Sequence, residues 1–218
     1  MTISVILLAG GHGSRMKSDL PKQYLQLGGK PIAHHSLEIF LSMSSVHEVI
    51  VVCEPTYRNY FSDFNVKFAL PGKRRQDSLY NGLQVATGQF ICSHDAARPF
   101  ITIDMIQRLF KAGQQTGAAT VGMPMKCTIK LSDDNGHVSK TVNRELVWEG
   151  QTPQFISKGV LESGFKYALK HNLTVTDDVS LPELIKHPVK LVEGAYSNIK
   201  ITTPEDLFVA QQLHKNLI

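Results

Sequence analysis

Cysteine is scarce in this sequence and offers no pairing pattern. Cys53, Cys92 and Cys127 are odd in number, lie far apart and form no C-x-x-C pair. Neither a disulfide framework nor a zinc cluster fits that spacing, and a reducing compartment is the plain reading. Long apolar runs are missing too. Val5-Ile6-Leu7-Leu8 has no basic residue ahead of it and is too short for a signal peptide or a membrane span, which predicts a cytoplasmic protein without a membrane partner. Charge of one sign is not concentrated either. Twenty-three Lys and Arg stand against 19 Asp and Glu, a formal net charge of +4. That excess argues for no nucleic-acid partner, which usually needs a concentrated basic face, and suits small polyanions held in one pocket. No repeat, low-complexity tract or linker divides the chain. What is there, 218 residues of which 42% are hydrophobic, suits one globular domain over 1–218 that buries its core without a staple.

Short β-branched runs alternate with helical patterns. Ser4–Ala9, Val46–Cys53, Phe90–Ser93 and Ala118–Met123 read as buried strands, with helices over Ile32–Ser42, Arg75–Ala86 and Thr102–Gln115 between them. Met105, Ile106, Leu109 and Phe110 give the third helix one apolar face. Thr203 is an N-cap, Pro204 the first helical residue, and Glu205 and Asp206 follow at the positive end of a last helix. The alternation predicts an α/β protein with three α/β/α layers and a mostly parallel, twisted sheet. Ligands of such sheets sit beyond the carboxyl ends of the strands, so residues just after strands matter most.

One segment breaks this rhythm. Ile129, Leu131, Val138 and Val142 alternate with polar residues around Asp133-Asp134-Asn135-Gly136. Asn-Gly favours a tight hairpin because both residues tolerate positive φ, so residues of about 126–148 read as a projecting two-stranded arm. An isolated hairpin is marginal in water and needs something to pack on, for which a second subunit is a reasonable partner.

Directly after the first strand comes Ala9-Gly10-Gly11-His12-Gly13-Ser14-Arg15-Met16, followed by Leu20-Pro21-Lys22-Gln23-Tyr24. Three glycines in four positions let the backbone approach a ligand and turn N–H groups toward phosphate, and Arg15 and Lys22 add two cations. A glycine-rich turn with solvated charges is the plainer reading of the glycines alone. The Walker pattern is absent, and Met16 stands where a dinucleotide fingerprint needs its third glycine. A further string, His94-Asp95-Ala96-Ala97-Arg98-Pro99, again follows a strand.

The first loop resembles the signature of sugar nucleotidyltransferases, and Pro21-Lys22-Gln23-Tyr24 narrows it. With Arg75-Gln76-Asp77-Ser78, His94 to Pro99, Thr141-Val142-Asn143-Arg144, Gln151-Thr152-Pro153-Gln154-Phe155, Thr176-Asp177-Asp178 and Asn198-Ile199-Lys200, the chain is similar, nearly end to end, to the 2-C-methyl-D-erythritol 4-phosphate cytidylyltransferase family of the non-mevalonate isoprenoid pathway. The resemblance implies a Rossmann-like nucleotidyltransferase fold and a metal-dependent transfer of CMP from CTP to a sugar-alcohol phosphate. It implies Arg15 and Lys22 on the triphosphate, backbone of Ala9, Gly10, Gly11 and Gly13 around base and phosphates, and Gly72, Arg75, Ser78 and Ala97 on the nucleotide. By the same resemblance Asp95 is expected by Mg²⁺ and the second substrate. Lys200, Thr128 and Arg144 contact the sugar phosphate, with the arm reaching the neighbouring subunit of a homodimer. Thr152, Thr176 and Asp177 fall near the same substrate. Arg98 has two readings, a ligand contact or a buried ion-pair partner of Asp95, and His94 reads as a packing residue.

The chemistry needs such residues. A substrate phosphate attacks the α-phosphorus of CTP, so two anions meet and charge moves onto pyrophosphate, a task for positioned cations and a divalent metal. Pro71-Gly72-Lys73-Arg74-Arg75 departs from the family's usual glycine pair, and Lys73 and Arg74 read as solvated. Ala9-Gly10-Gly11 is also how ribitol 5-phosphate cytidylyltransferases tend to read. Those enzymes usually carry Val where this chain has Ala97 and Ser where it has Thr176, so both positions favour methylerythritol phosphate. A non-catalytic nucleotide-binding protein fits the retained Arg15, Lys22, Asp95 and Lys200 less well.

Overall fold

A computed structural model describes every residue except His12, Lys17 and Ile218. In chain order the elements are β1 (Ile3–Leu8), β2 (Gln26–Leu27), β3 (Lys30–Pro31), α1 (Ile32–Ser42), β4 (Val46–Val52), β5 (Lys67–Ala69), α2 (Arg75–Val85), β6 (Phe90–Asp95), α3 (Ile103–Thr116) and β7 (Ala118–Pro124). Then follow β8 (Lys130–Ser132), β9 (Val138–Thr141), β10 (Trp148–Ser157), α4 (Lys158–Lys170), α5 (Ser180–Leu184), β11 (Lys190–Glu193) and α6 (Pro204–Leu217).

Seven strands form the main sheet in the order β11-β7-β10-β6-β1-β4-β5. All pairings are parallel except those of β10, which runs antiparallel between β6 and β7. Alternation along β1 sorts the core onto two faces, as a strand's two-residue period requires. Val5 and Leu7 join the cluster that contains Leu37 and Phe40 of α1 and Leu109 of α3. Ile6 faces the other way, with Leu79 and Leu83 of α2 and Leu161 of α4. The expected layers and sheet are therefore present, with one reversed strand.

Helix ends follow local chemistry. Thr102 caps α3 by accepting from the Met105 N–H at 3.2 Å, and Gly117 closes that helix at φ +82°. Asp206 accepts from the Thr203 N–H at 2.9 Å while the Thr203 hydroxyl accepts from Asp206 N–H at 3.4 Å, so α6 starts with a reciprocal cap. This helix packs Ala210 on Met16, Leu27 and Ile32, which ties it to the segment after β1.

The arm is the hairpin β8–β9, but its turn differs from the expectation. Only Gly136 has positive φ, +82°, and Asp133 donates to the His137 carbonyl at 2.9 Å. The loop thus spans three residues and ends on a left-handed glycine, the next commonest hairpin solution after the two-residue turn. Leu131, Val138 and Leu146 are exposed, the last 82%. None of the described helices is long and apolar enough to cross a membrane.

Candidate active site

The carboxyl ends of β1, β4 and β6 open into a cavity of about 390 Å³ lined by Gly10, Gly11, Lys22, Gly72, Arg75, Ser78, Asp95, Ala97 and Lys200 among others. Nine residues expected at the site from four separate segments are thereby brought together. A larger depression of about 630 Å³ lies at the opposite, amino ends of β4 and β5 and is lined by His47, Glu48, Asp63 and Lys67. It is the wrong end of a parallel sheet for a ligand, and cations do not converge there.

The first loop is held by the motif that follows it. Ala9 is buried; its N–H donates to the Val52 carbonyl at 2.9 Å, and its own carbonyl accepts from Gln23 Nε2 at 2.6 Å and from the Tyr24 hydroxyl at 3.0 Å. Gln23 also donates to the Gly11 carbonyl at 2.9 Å. Tyr24, fully buried, stacks on Tyr57 with ring centroids 4.5 Å apart. Gln23 and Tyr24 are thus the anchor, and Lys22 is what the anchor presents. At Gly10 an added Cβ would lie 2.4 Å from Pro71 Cβ, so the first loop and the Pro71–Gly72 loop meet without room for a side chain. At Gly11 nothing lies within 4 Å of an added Cβ, so that backbone faces open space. Gly13 has φ +65°, a conformation that glycine adopts without steric cost, and it is absent from the residues lining the cavity. His12, inside the loop, lies outside the described residues.

Across the cavity, the Ser78 hydroxyl accepts from the Gly72 N–H at 3.0 Å, which orients both. Arg74 is not simply solvated: it pairs with Asp77 at 2.7 Å and donates to the Thr174 hydroxyl at 3.0 Å. Its position at the start of α2 makes Asp77 a reciprocal partner three residues on. Lys73 is exposed and does line the cavity, as does half-buried Glu54, two residues after the end of β4. Glu54 could have been found by the rule that ligands gather after strands.

Asp95 is the hub. Its carboxylate lies 3.0 Å from Arg75 Nε, 2.7 Å from Lys200 Nζ and 3.9 Å from Arg98 Nε, with the side chain 10% exposed. Burial alone would raise its pKa, but Arg75 and Lys200 outweigh that and hold it well below the carboxylate range. Arg98 is buried and donates to the Asn198 carbonyl at 2.6 Å, while its Nε, the atom 3.9 Å from Asp95, has no hydrogen-bond partner. Thr152 is buried beneath Asp95: its hydroxyl accepts from the Asp95 N–H at 3.1 Å and lies 3.0 Å from His94 Nδ1. His94 Nε2 is 3.0 Å from the Arg98 carbonyl, so that nitrogen carries the proton and Nδ1 accepts. Burial lowers the His94 pKa to about 4, which keeps the ring neutral and structural.

Lys22 and Lys200 lie in one electrostatic field. Burial first, then repulsion from Lys200 and Arg15, lowers the Lys22 pKa to about 8. Arg15 is exposed in the turn Ser14–Met16 and stands outside the cavity lining, near enough to act on Lys22 by charge. Lys200 reaches Asp95 because buried Asn198 donates to the Thr152 carbonyl at 2.9 Å and to Gln151 Oε1 at 3.1 Å.

Other expected residues are placed elsewhere. Thr128 and Arg144 are exposed on the arm and do not line their own chain's cavity; Arg144 donates to the Lys126 carbonyl at 2.9 Å. Thr176 is exposed. Asp177 spends its carboxylate on the start of α5, accepting from the Ser180 N–H at 3.1 Å, and on Gln154 at 2.9 Å. Its neighbour Asp178, which the sequence did not single out, pairs with Arg75. Gln151, Gln154 and Asn198 were legible as motif members only; their work is to lock loops together.

Comparison with known proteins gives the family. A family model described as 2-C-methyl-D-erythritol 4-phosphate cytidylyltransferase matches residues 3–216. The chain is 47% identical over 220 residues to the chloroplastic 2-C-methyl-D-erythritol 4-phosphate cytidylyltransferase of Oryza sativa subsp. japonica, covering 97% of this chain and 74% of that protein. It is 42% identical over 210 residues to the Chlamydia pneumoniae enzyme of the same name, covering 96% and 98%. The crystal structure of 2-C-methyl-D-erythritol 4-phosphate cytidylyltransferase from Thermus thermophilus superposes with a TM-score of 0.85 at 31% identity, covering 99% of this chain and 100% of that one.

Proposed function

The chain belongs to the 2-C-methyl-D-erythritol 4-phosphate cytidylyltransferase family, and we propose that it transfers CMP from CTP to 2-C-methyl-D-erythritol 4-phosphate, giving 4-CDP-2-C-methyl-D-erythritol and pyrophosphate. The observation that carries this reading is the meeting of Gly11, Lys22, Ser78, Asp95 and Lys200 around one cavity at the strand ends. Residues 1–218 act as one nucleotidyltransferase domain with the arm of about 126–148 as its projection, in a reducing, cytoplasmic setting that suits three free cysteines.

The acceptor's phosphate oxygen forms a bond to the α-phosphorus as the bond to the bridging α,β-oxygen breaks and pyrophosphate leaves. A phosphate monoester, with a second pKa near 6, is already an anion at neutral pH and needs no general base. That fits a site rich in cations in which His94, an adjacent imidazole among the described residues, is neutral and hydrogen-bonded at both nitrogens. Lys22 and Arg15 bear on the triphosphate and Lys200 on the incoming phosphate, each stabilising charge that grows in the transition state. Gly72 and Ser78 hold the cytosine end, with Ala97 beneath the nucleotide.

Mg²⁺ is part of the same reading. The described residues contain no group of three His, Cys, Asp or Glu side chains able to hold a metal alone. Asp95 nonetheless offers an ionised carboxylate on the cavity wall, and Mg²⁺ commonly takes one or two carboxylates with substrate phosphates and water. Bound there, the ion supplies charge neutralisation at the phosphates. Phosphorus-31 spectroscopy of CTP and 2-C-methyl-D-erythritol 4-phosphate incubated with the protein and Mg²⁺ tests the reaction. Two coupled diphosphate resonances from the product and one of pyrophosphate are expected; unchanged CTP overturns the assignment.

The lowered Lys22 pKa gives a second expected result. kcat/KM for CTP falls as pH rises through about 8, because free Lys22 loses its proton there. The bound triphosphate favours the charged amine, so kcat persists to higher pH. For the unliganded fold the sign is opposite. A lysine whose pKa drops on folding leaves the unfolded chain with more protons between about 8 and 10.5, so this group's contribution to stability rises with pH across that window. pH–rate profiles in which both constants stay flat to pH 10 contradict the role.

The exposed Leu131, Val138 and Leu146 of the arm support a homodimer in which Thr128 and Arg144 reach the neighbour's second substrate. Sedimentation at micromolar concentration should give a dimer; monomer alone contradicts the arm exchange.

A further inference from the structure

Asp178 is 1% exposed at its side chain and takes no part in the cavity surface, yet pairs with Arg75, which lines it. Both of its oxygens accept from Arg75, Oδ1 from Nη1 and Oδ2 from Nη2, the latter at 3.0 Å. This is the fork-on-carboxylate geometry that fixes a guanidinium plane. The remaining donor, Nε on the aliphatic side of the guanidinium, points at Asp95 Oδ1 at 3.0 Å. Asp178 is itself locked, since its N–H and that of Val179 both donate to Gln154 Oε1, at 2.9 and 3.0 Å. Gln154 Nε2 in turn donates to the Thr120 hydroxyl at 3.1 Å. A rigid line thus runs from β7 through β10 to Asp178, Arg75 and the carboxylate at the hub.

Resting on the proposed transfer reaction, we propose that Asp178 is a positioning residue for it, acting through Arg75 to set the orientation and charge of Asp95. The charges make the reason plain. Arg75, Arg98 and Lys200 carry three positive charges against Asp95 and Asp178, a local sum of +1. Without Asp178 the sum becomes +2, and Arg75 has one carboxylate left to turn its fork upon. Asp95 would then be gripped by both terminal nitrogens, drawn from Lys200 and less able to serve a cation or a phosphate-bound ion. Asp178 keeps Arg75 sharing one N–H with Asp95 instead of claiming it whole. By this account Arg75 lines the nucleotide cavity as a fixed strut, and its terminal nitrogens are turned to Asp178.

Asp178→Asn keeps an acceptor for Arg75 and removes the charge. It should lower kcat by about 10–100-fold, the usual loss when the partner that orients a metal-site carboxylate is changed, with KM for CTP within about threefold. Asp178→Glu should recover part of that loss. In a double-mutant cycle with Arg75→Gln, the second substitution should add little to the first, because both break one relay. A crystal structure of Asp178→Asn, which needs no turnover, should show the Arg75 guanidinium rotated onto Asp95. An unchanged Arg75–Asp95 contact in that structure overturns the proposal, as do additive losses in kcat. Inactivity of the unsubstituted enzyme toward 2-C-methyl-D-erythritol 4-phosphate would count instead against the function itself, leaving the structural readout to decide on Asp178.

Discussion

Replacing Lys22 by alanine should lower kcat for CMP transfer by about 10²–10³, the usual cost of one preorganised donor to developing charge, while the fold stays intact. Lys22 sits in the short turn Lys22–Tyr24, whose place is held by the buried Gln23 and Tyr24 side chains and not by its own. Its amine is electrostatically uncomfortable without ligand: burial, then Lys200 and Arg15, disfavour its charge. Removing it relieves that repulsion, so thermal unfolding should be unchanged or slightly later. A residue so poised is stabilised by an incoming triphosphate and makes its largest contribution when negative charge moves to the leaving group. Steady-state kinetics with calorimetric melting checks both halves. Near-normal turnover removes Lys22 from its role, and a collapsed melting transition makes it structural.

Asp95→Asn should act on both activity and stability. Catalysis loses an ionised carboxylate that touches Lys200 and Arg75 at the cavity wall, with kcat expected to fall about 10²-fold or more, since in the proposed reaction the several kcal/mol that a divalent ion would supply depend on this group. Stability should fall as well, because Arg98, buried and 3.9 Å away, is left with less compensation. Arg75 keeps Asp178, and Lys200 is partly exposed, so the loss stays at about 2 kcal/mol, well under the 3–5 kcal/mol of a fully buried broken pair. For a chain of this size that is about 4–8 °C in Tm. The sign with pH follows from the depressed pKa. Asp95's contribution is complete above the ordinary carboxylate value of about 4 and is lost as pH falls below it. The melting difference between wild type and Asp95→Asn should therefore shrink in acid. A difference that grows below pH 4 would contradict the ion-pair account.

The parts of the fold that were legible in the sequence are those where local chemistry and tertiary context agree. β1 and the second half of β4 are apolar, β-branched-rich runs, all of these but Leu8 buried, β6 and β7 are mostly buried, and Thr102 and Thr203 mark helix starts by side chains that do cap them. β10 was not legible. Gln151-Thr152-Pro153-Gln154 was quoted as a motif and assigned to no element, and proline, which cannot donate to a ladder, argues against a central strand. The strand accommodates it with a break in register between Gly150 and Gln154, in the middle of the sheet. That irregularity turns Gln151, Thr152 and Gln154 into connectors, to Asn198, Asp95 and Asp178 respectively. The arm's turn was misjudged because Asn-Gly permits a two-residue turn without demanding it, and the Asp133 side chain favours the wider loop by accepting from the Asn135 and His137 N–H groups.

At the site, the cations and Asp95 were legible through the motifs of the family resemblance, and phosphate chemistry accounts for their residue types. Asp178 was not, since an aspartate in a loop becomes meaningful only when Arg75, 103 positions away, closes on it. Arg74 looked solvated for the same reason in reverse: its partner Asp77 was read as a motif letter and not as the reciprocal partner at the start of α2. Of the two side chains weighed for acceptor choice, Ala97 is buried on the cavity wall, while Thr176 is exposed, directly before Asp177 and Asp178.

The most direct measurement is pyrophosphate release from CTP with 2-C-methyl-D-erythritol 4-phosphate and, in parallel, with ribitol 5-phosphate, each compared as kcat/KM in Mg²⁺. The account predicts rapid release with the first acceptor and at most a trace with the second. Release with ribitol 5-phosphate alone, or with neither, would contradict it.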